Sequence, residues 1–203
     1  QDITYALGIK SRVLLPTDDQ IKTKVKTETD WLSFQEYFVK EQCKPNILNL
    51  HYEGASSSKP TEEAVNALKS ADLIILAPSN PLLSIAPILQ IPGIKELLIT
   101  STAPKIAISP LIGGKSVKGP AGKIMQTMNM RADSVGVANF YKDFLDIILV
   151  DIEDKEIESE IEELGLVVKF ENILMKTQEE KLFLSTKVIE IGKDTISKAL
   201  KNA

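Results

Sequence analysis

Leu73-Ile74-Ile75-Leu76-Ala77-Pro78-Ser79-Asn80-Pro81 is the stretch on which the fold turns. Its first five residues are apolar and uncharged, and two prolines close them off. Such a run is short for a helix and fits a strand covered on both faces, as parallel sheets need. Residues 105–109 form a second run of this kind, and residues 147–150 and 166–170 read as further strands. Helical stretches separate them. Thr61 opens one, with Glu62 and Glu63 in its first turn and Ala64, Leu68 and Ala71 on one face. Residues 93–98 and 120–127 give two more, the latter starting on Pro120, where a missing N–H costs least. Residues 155–164 read as an acidic helix and residues 184–202 as a terminal one.

Ahead of this alternation, residues 12–15 read as a short strand ending in the turn Pro16-Thr17-Asp18-Asp19. Residues 20–27 set Ile21, Thr23, Val25 and Thr27 against Lys22, Lys24 and Lys26, the period of a half-exposed strand. Residues 31–38 are apolar and aromatic, residues 46–52 give another strand, and a Ser-rich loop covers 56–60. Strands alternating with helices predict an α/β fold: a three-layer, Rossmann-like, mostly parallel sheet with helices on both faces, in one domain over residues 1–203. Ligands of such sheets sit beyond the carboxyl ends of the strands, which directs attention to the loops after Leu15, Ala77 and Ser109.

Composition narrows the function classes. With 203 residues, 43% of them apolar and 26% charged, the chain is long and apolar enough to bury a core. A net charge of −4 argues against a nucleic-acid partner, which would be gripped through its phosphates. Cys43 and His51 stand alone, which excludes an intrachain disulfide and Cys- or multi-His metal sites. No apolar run approaches the ~20 residues of a membrane span. These features predict a cytoplasmic protein with no membrane partner.

Two loops carry candidate chemistry. In the first, prolines hold Ser79 and Asn80 at a strand end where a helix begins. Asn80 both donates and accepts, which suits a base edge or a ribose, and Ser79, Ser84 and helix amides suit a phosphate. Turn formation and capping account for the same residues equally well. The second loop runs Pro110-Leu111-Ile112-Gly113-Gly114-Lys115-Ser116-Val117-Lys118-Gly119-Pro120-Ala121-Gly122-Lys123. Its glycines let amides approach an anion, and Lys115, Lys118 and Lys123 supply charge for phosphates; the other reading is a solvated surface loop. Gly114-Lys115-Ser116 resembles the end of a P-loop, but Ser109 stands where that motif needs Gly. Asp18 and Asp19 suit either Mg²⁺ or a turn. Asp151, Glu153 and Asp154 open an acidic run that reads as a solvated helix face. His51 lies in a strand with no evident partner.

Taken in order, Pro16-Thr17-Asp18-Asp19, Phe34-Gln35-Glu36-Tyr37-Phe38-Val39, Pro78-Ser79-Asn80-Pro81 with Ser84-Ile85 and Pro87-Ile88-Leu89, Ser109-Pro110-Leu111-Ile112-Gly113-Gly114, Lys118-Gly119-Pro120-Ala121, Gly136-Val137-Ala138 with Tyr141, and Asp151 with Asp154 resemble the 2-phospho-L-lactate transferase (CofD-like) family. The family usually has Gly where Ala77 and Ala86 stand, and tends to Gly where Asn129 stands. Its opening strand and Gly-Gly-Thr-Gly loop are not in this chain, so the resemblance implies the C-terminal part of a longer enzyme.

The resemblance further implies transfer of a 2-phospholactyl (or phosphoenolpyruvyl) group from a guanosine diphosphate-linked donor to the deazaflavin 7,8-didemethyl-8-hydroxy-5-deazariboflavin. GMP is released, Mg²⁺ is the expected cofactor, and a homodimer working in coenzyme F-420 biosynthesis is the expected assembly. On this reading Ser79 and Asn80 hold the guanosine end, its phosphates lie near Gly113, Gly114, Lys115 and Lys118, Pro81, Ser84 and Gly119 are further substrate-binding residues, and Asp18 and Asp19 sit near the metal or attacking hydroxyl. Phe34 and Tyr37 flank the deazaflavin or pack. A rival reading is a non-catalytic nucleotide-sugar-binding regulator of the gluconeogenesis-factor type, on the same scaffold.

Overall fold

A computed structural model describes residue 6 and residues 8–116 and 121–202. Its centre is a four-stranded parallel sheet of β4 (Ile74–Leu76), β5 (Lys105–Ile108), β8 (Ile147–Asp151) and β9 (Val167–Glu171), in that spatial order. Each crossover steps to the next strand in the same direction. Right-handed crossovers of that kind place their linking helices on one face. There Leu98 of α3 (Ile94–Thr100), Val137 and Ala138 of α5 (Ser134–Tyr141) and Ile161 of α6 (Glu158–Glu162) pack with Ala107, Ile148 and Val150 of the strands. Leu68 of α1 (Glu62–Ser70) joins the same cluster. The opposite face carries Ile106, Ile108, Ile147 and Leu149 against Leu184 and Val188 of the long α7 (Gln178–Asn202). Three layers result, as the alternation predicts. Burying each such Ile or Leu contributes about 1.5–3 kcal/mol.

Three earlier strands form a second sheet that the α/β pattern did not foretell. β1 (Lys22–Thr27) pairs antiparallel with β2 (Trp31–Ser33) on one side and β3 (Ile47–Glu53) on the other. The period-two reading of β1 holds: Val25 and Thr27 are buried, while Lys24 pairs with His51 and Lys26 with Trp31 on the outer face. His51 does have a partner there, since its ring meets the edge of Trp31 at 6.2 Å between centroids. Two side chains fasten this part of the chain near the main sheet. Tyr52 Oη donates to the Leu82 carbonyl at 2.5 Å. Lys123, on α4 (Ala121–Thr127), donates to the carbonyls of Cys43, Lys44 and Pro45 at 2.9, 3.4 and 3.3 Å.

Other boundaries differ from the sequence reading for physical reasons. Residues 12–15 form no strand: Val13 and Leu15 are each 61% exposed, and the segment is tied at its end by Thr61, whose hydroxyl donates to the Leu15 carbonyl, and by a bridge between Thr17 and Pro60. The acidic stretch is broken. A 3₁₀ helix covers Ile152–Ile157, Asp154 has non-helical dihedrals (φ −102°, ψ 26°), and only Glu158–Glu162 is α-helical. The terminal helix starts earlier than Leu184, because Thr177 and Glu180 form a reciprocal capping box: Thr177 Oγ1 accepts from Glu180 N and Glu180 Oε2 from Thr177 N. Thr61 is the expected N-cap of α1, accepting from Ala64 N at 3.2 Å. Asn129 sits at φ +55°, the left-handed position that the usual family glycine would take easily.

Candidate functional site

The chain leaves β4 through Ala77-Pro78-Ser79-Asn80 and turns into a π-helical segment, Pro81–Ile85, that continues as α2 (Ala86–Leu89). Asn80 Oδ1 accepts from Leu82 N at 2.9 Å and Leu83 N at 3.0 Å, capping that turn, and the Pro81 ring occupies a position that needs no donor. The capping reading of Asn80 therefore holds. It also leaves the side-chain amide nitrogen as the group free to donate, and Asn80 faces a cavity.

That cavity, about 230 Å³, is lined by Pro78 and Asn80 after β4, Ser109 and Pro110 after β5, Ala121 at the head of α4, and Ile173 and Met175 after β9. Every contribution comes from the carboxyl end of a parallel strand or from the helix that follows one, where open α/β sheets place ligands. Ser109 is the polar residue built most firmly into it. It is 1% exposed, its Oγ lies 2.8 Å from Ser134 Oγ, and it accepts from Leu111 N at 3.1 Å. The sequence reading missed Ser109, Ile173 and Met175 as wall residues. For Ile173 and Met175 the signal was present, since the carboxyl-end rule applies to β9 as much as to β4.

Leu111–Ile112 (β6) and Lys115–Ser116 (β7) pair antiparallel around Gly113-Gly114. Their φ values, +56° and +66°, are those a two-residue hairpin requires, so the glycines serve a tight turn. The Gly113 amide is already taken: it donates to Asp154 Oδ2 at 3.0 Å. Lys115 is exposed on β7. Lys118 and Gly119 lie outside the described residues. Lys123 is engaged by three carbonyls and does not serve as a phosphate charge.

Asp151 and Asp154 are not the solvated face that the charge run suggests, being 4% and 5% exposed. Asp151 Oδ1 accepts from Glu153 N at 3.0 Å and its Oδ2 from Ile173 N at 3.1 Å. Burial pushes the Asp154 carboxyl above its ordinary range, against the opposing pull of the Gly113 amide, and the charges of Glu156, Asp151 and Asp133 add to the rise.

Ser79 is half-buried, and its amide donates to the Ala77 carbonyl at 2.7 Å. Pro81 is buried in its turn, and Ser84 is exposed; neither lines the cavity. Asp18 and Asp19 are not brought to it either. Asp19 Oδ2 accepts from Lys59 N at 2.8 Å, while Asp18 lines a separate hollow with Arg12, Thr61 and Glu63. Phe34 stacks on Phe38 at 5.5 Å, and Tyr37 is fully buried. A larger hollow of about 360 Å³ runs along β4 beside Leu14, Ala67, Leu68 and Ile75. It holds no polar side chain to orient a ligand, so the polar cavity is the functional candidate. Among the described residues, no group of three or more His, Cys, Asp or Glu side chains gathers to hold a metal ion. Among them also, no single helix is long and apolar enough to cross a membrane.

A parallel sheet with a polar cavity at its carboxyl end, walled by a proline-bracketed Asn and the buried Ser109, defines a protein of the open α/β class, with the cavity where such sheets place ligands. The chain belongs to the CofD family: the family model described as 2-phospho-L-lactate transferase CofD matches residues 1–187. It is 40% identical over 189 residues to the 2-phospho-L-lactate transferase of Methanocaldococcus jannaschii, covering 91% of this chain and 59% of that protein. With the 2-phospho-L-lactate transferase of Methanococcoides burtonii it shares 35% identity over 190 residues, covering 94% of this chain and 61% of the relative. The chain thus spans about three-fifths of the length of these curated relatives. Among solved structures, the crystal structure of protein BH3568 from Bacillus halodurans is similar in fold, with TM-score 0.58 and 21% identity over 87% of this chain and 60% of that one.

Proposed function

We propose that this chain supplies the donor-binding part of a 2-phospho-L-lactate transferase. The observation that carries the reading is the shared cavity of Asn80 and Ser109 at the ends of the neighbouring strands β4 and β5, in a chain of the CofD family. The Asn80 amide, left as a donor by its own cap, meets an acceptor edge of the guanosine end. Lys115, on the hairpin that leaves this wall, contributes charge toward the diphosphate, with Lys118 and Gly119 continuing the same segment. In the reaction, the terminal ribityl hydroxyl of the deazaflavin attacks the phosphorus that carries the lactyl group. A new P–O bond forms, the diphosphate P–O bond breaks, the hydroxyl proton passes to solvent, and GMP leaves. Catalysis of this kind rests on alignment and on neutralising developing charge, and alignment of two substrates alone contributes on the order of 7–11 kcal/mol.

Asp18 and Asp19 do not fit a resident magnesium site. Asp19 is bound to the Lys59 amide, and Asp18 opens on a different hollow from the one Asn80 lines. Mg²⁺ is therefore assigned to the donor's phosphates, which supply oxygen ligands of the kind it prefers. The GDP-linked donor, the deazaflavin acceptor, a homodimeric state and a cytoplasmic setting complete the proposal, on the family resemblance.

The test is a mass-spectrometric assay, with deazaflavin and GDP-linked donor, of the full-length enzyme that contains this chain, alongside its Asn80→Ala variant. Turnover with a donor KM raised at least about tenfold in the variant, the scale of a lost ligand hydrogen bond to a charged or buried group, supports the site. Nucleotide binding without turnover overturns the transferase reading. An unchanged donor KM and kcat in Asn80→Ala removes Asn80 from the site.

A further inference from the structure

The acidic turn after β8 has no place in the reaction as described, yet it touches both flanks of the cavity. Asp151 closes β8 and holds the Ile173 amide, and Ile173 is a wall residue. Asp154, three residues on, holds the Gly113 amide at the tip of the β6–β7 hairpin. Pro110 lines the wall and leads directly into this hairpin. Neither carboxylate lines the cavity itself. Both are buried, and neither forms an ion pair among the described residues. Buried carboxylates without a counter-ion are costly, so backbone amides are what holds them.

The base of the hairpin is held by Leu111, fully buried and bonded to Ser109 Oγ through its amide and its carbonyl, while the tip is held through Gly113. Gly114 lies close to the Ala132 carbonyl, which a Cβ there would meet at 3.9 Å. Asp133, on the same loop as Ala132, is spent on the Gly136 amide and on Arg131. Of the four acids around this point, Asp133, Asp151, Asp154 and Glu156, Asp154 is the one whose carboxylate reaches the hairpin.

We infer that Asp154 is a positioning residue for the donor's diphosphate: by holding the Gly113 amide it fixes the tip of the hairpin that follows the wall residue Pro110, and so the placement of Lys115. Asp151 does the corresponding work on the Ile173 wall. The inference rests on the donor-binding reading above and adds the residue that sets the geometry of the phosphate side.

The experiment compares Asp154→Ala and Asp154→Asn in the full chain by amide exchange at Gly113, by GDP binding, and by donor and acceptor KM. Asparagine keeps an oxygen for the Gly113 amide and alanine does not. The expected result is faster exchange at Gly113 in Asp154→Ala, with GDP binding and donor KM weakened roughly tenfold or more, acceptor KM unchanged, and recovery of both exchange and donor KM in Asp154→Asn. Equal losses for donor and acceptor, or no recovery with Asn, reduce Asp154 to general stability and overturn the inference. So does Gly113 exchange unchanged in Asp154→Ala. Wild-type protein that does not bind GDP overturns the donor-binding reading instead, while the exchange data still decide whether Asp154 holds the hairpin.

Discussion

The buried pair Ser109–Ser134 couples the cavity wall to the start of α5, and its strength can be worked out from the contacts. Ser109 Oγ has three neighbours: Ser134 Oγ at 2.8 Å, the Leu111 amide at 3.1 Å and the Leu111 carbonyl at 3.3 Å. Ser134→Ala removes the first, but the Ser109 proton can turn to the Leu111 carbonyl, so the loss is about 1 kcal/mol, near the mean for a net hydrogen bond. Ser109→Ala removes the acceptor of a buried amide as well as the partner of a buried hydroxyl, and costs about 2 kcal/mol. Once Ser109 is gone, the second substitution has little left to break, so a double-mutant cycle should show a coupling of about 1 kcal/mol. Urea titrations of the four proteins, followed by circular dichroism at constant m, measure it. If the two losses add to within about 0.3 kcal/mol, the hydroxyls do not bond and the wall is not fixed as described.

Two further outcomes follow from packing and burial. At Gly136 a Cβ would lie 1.8 Å from the Arg131 carbonyl oxygen and 2.8 Å from its carbon, both backbone atoms, so Gly136→Ala should cost about 3 kcal/mol and lower Tm by several degrees; a thermal melt that matches wild type refutes the close approach. Burial pushes the Tyr52 phenol from 10.0 to about 12, so the stability it carries is complete below pH 10, where the phenol is neutral in both states, and is lost as pH rises through about 12. Tyr52→Phe should flatten that alkaline limb in denaturation measured across pH, and an unaltered limb would assign it to other groups.

The parallel sheet was legible because its inner strands are mostly short apolar runs, as in β8, Ile147–Asp151, every residue of which is buried. That pattern has a single explanation, cover on both faces. The antiparallel sheet was half legible. Its β1 alternation was plain, but nothing local says that β1 pairs with β2 and β3 and not with the parallel strands, since partner choice is a tertiary matter. At the site, Asn80 was found because prolines on both sides restrict its backbone, a local signal. Ser109 and Ser134 were not, because a hydroxyl pair 25 positions apart leaves no spacing to read. Asp151 and Asp154 were misread as solvated for a related reason. A run of acids looks alike in sequence whether its first members face water or backbone amides, and burial alone separates the two.

The cavity is therefore a property of strand register more than of any one loop. Ile74 lies beside Lys105, Ile106 beside Ile147, and Ile147 beside Val167, which brings the ends of all four strands to a common level. A slip of β9 by one residue would move its end by about 3.3 Å and turn each of its side chains to the opposite face. The Asp151–Ile173 bond, 3.1 Å long, cannot survive a displacement as large as itself. Ile173 and Met175 would then leave the wall that Asn80 and Ser109 share. The carboxylate of Asp151 thus checks the register of β9 at the point where the register matters for binding, which is reason enough for a buried acid to stand at the end of β8.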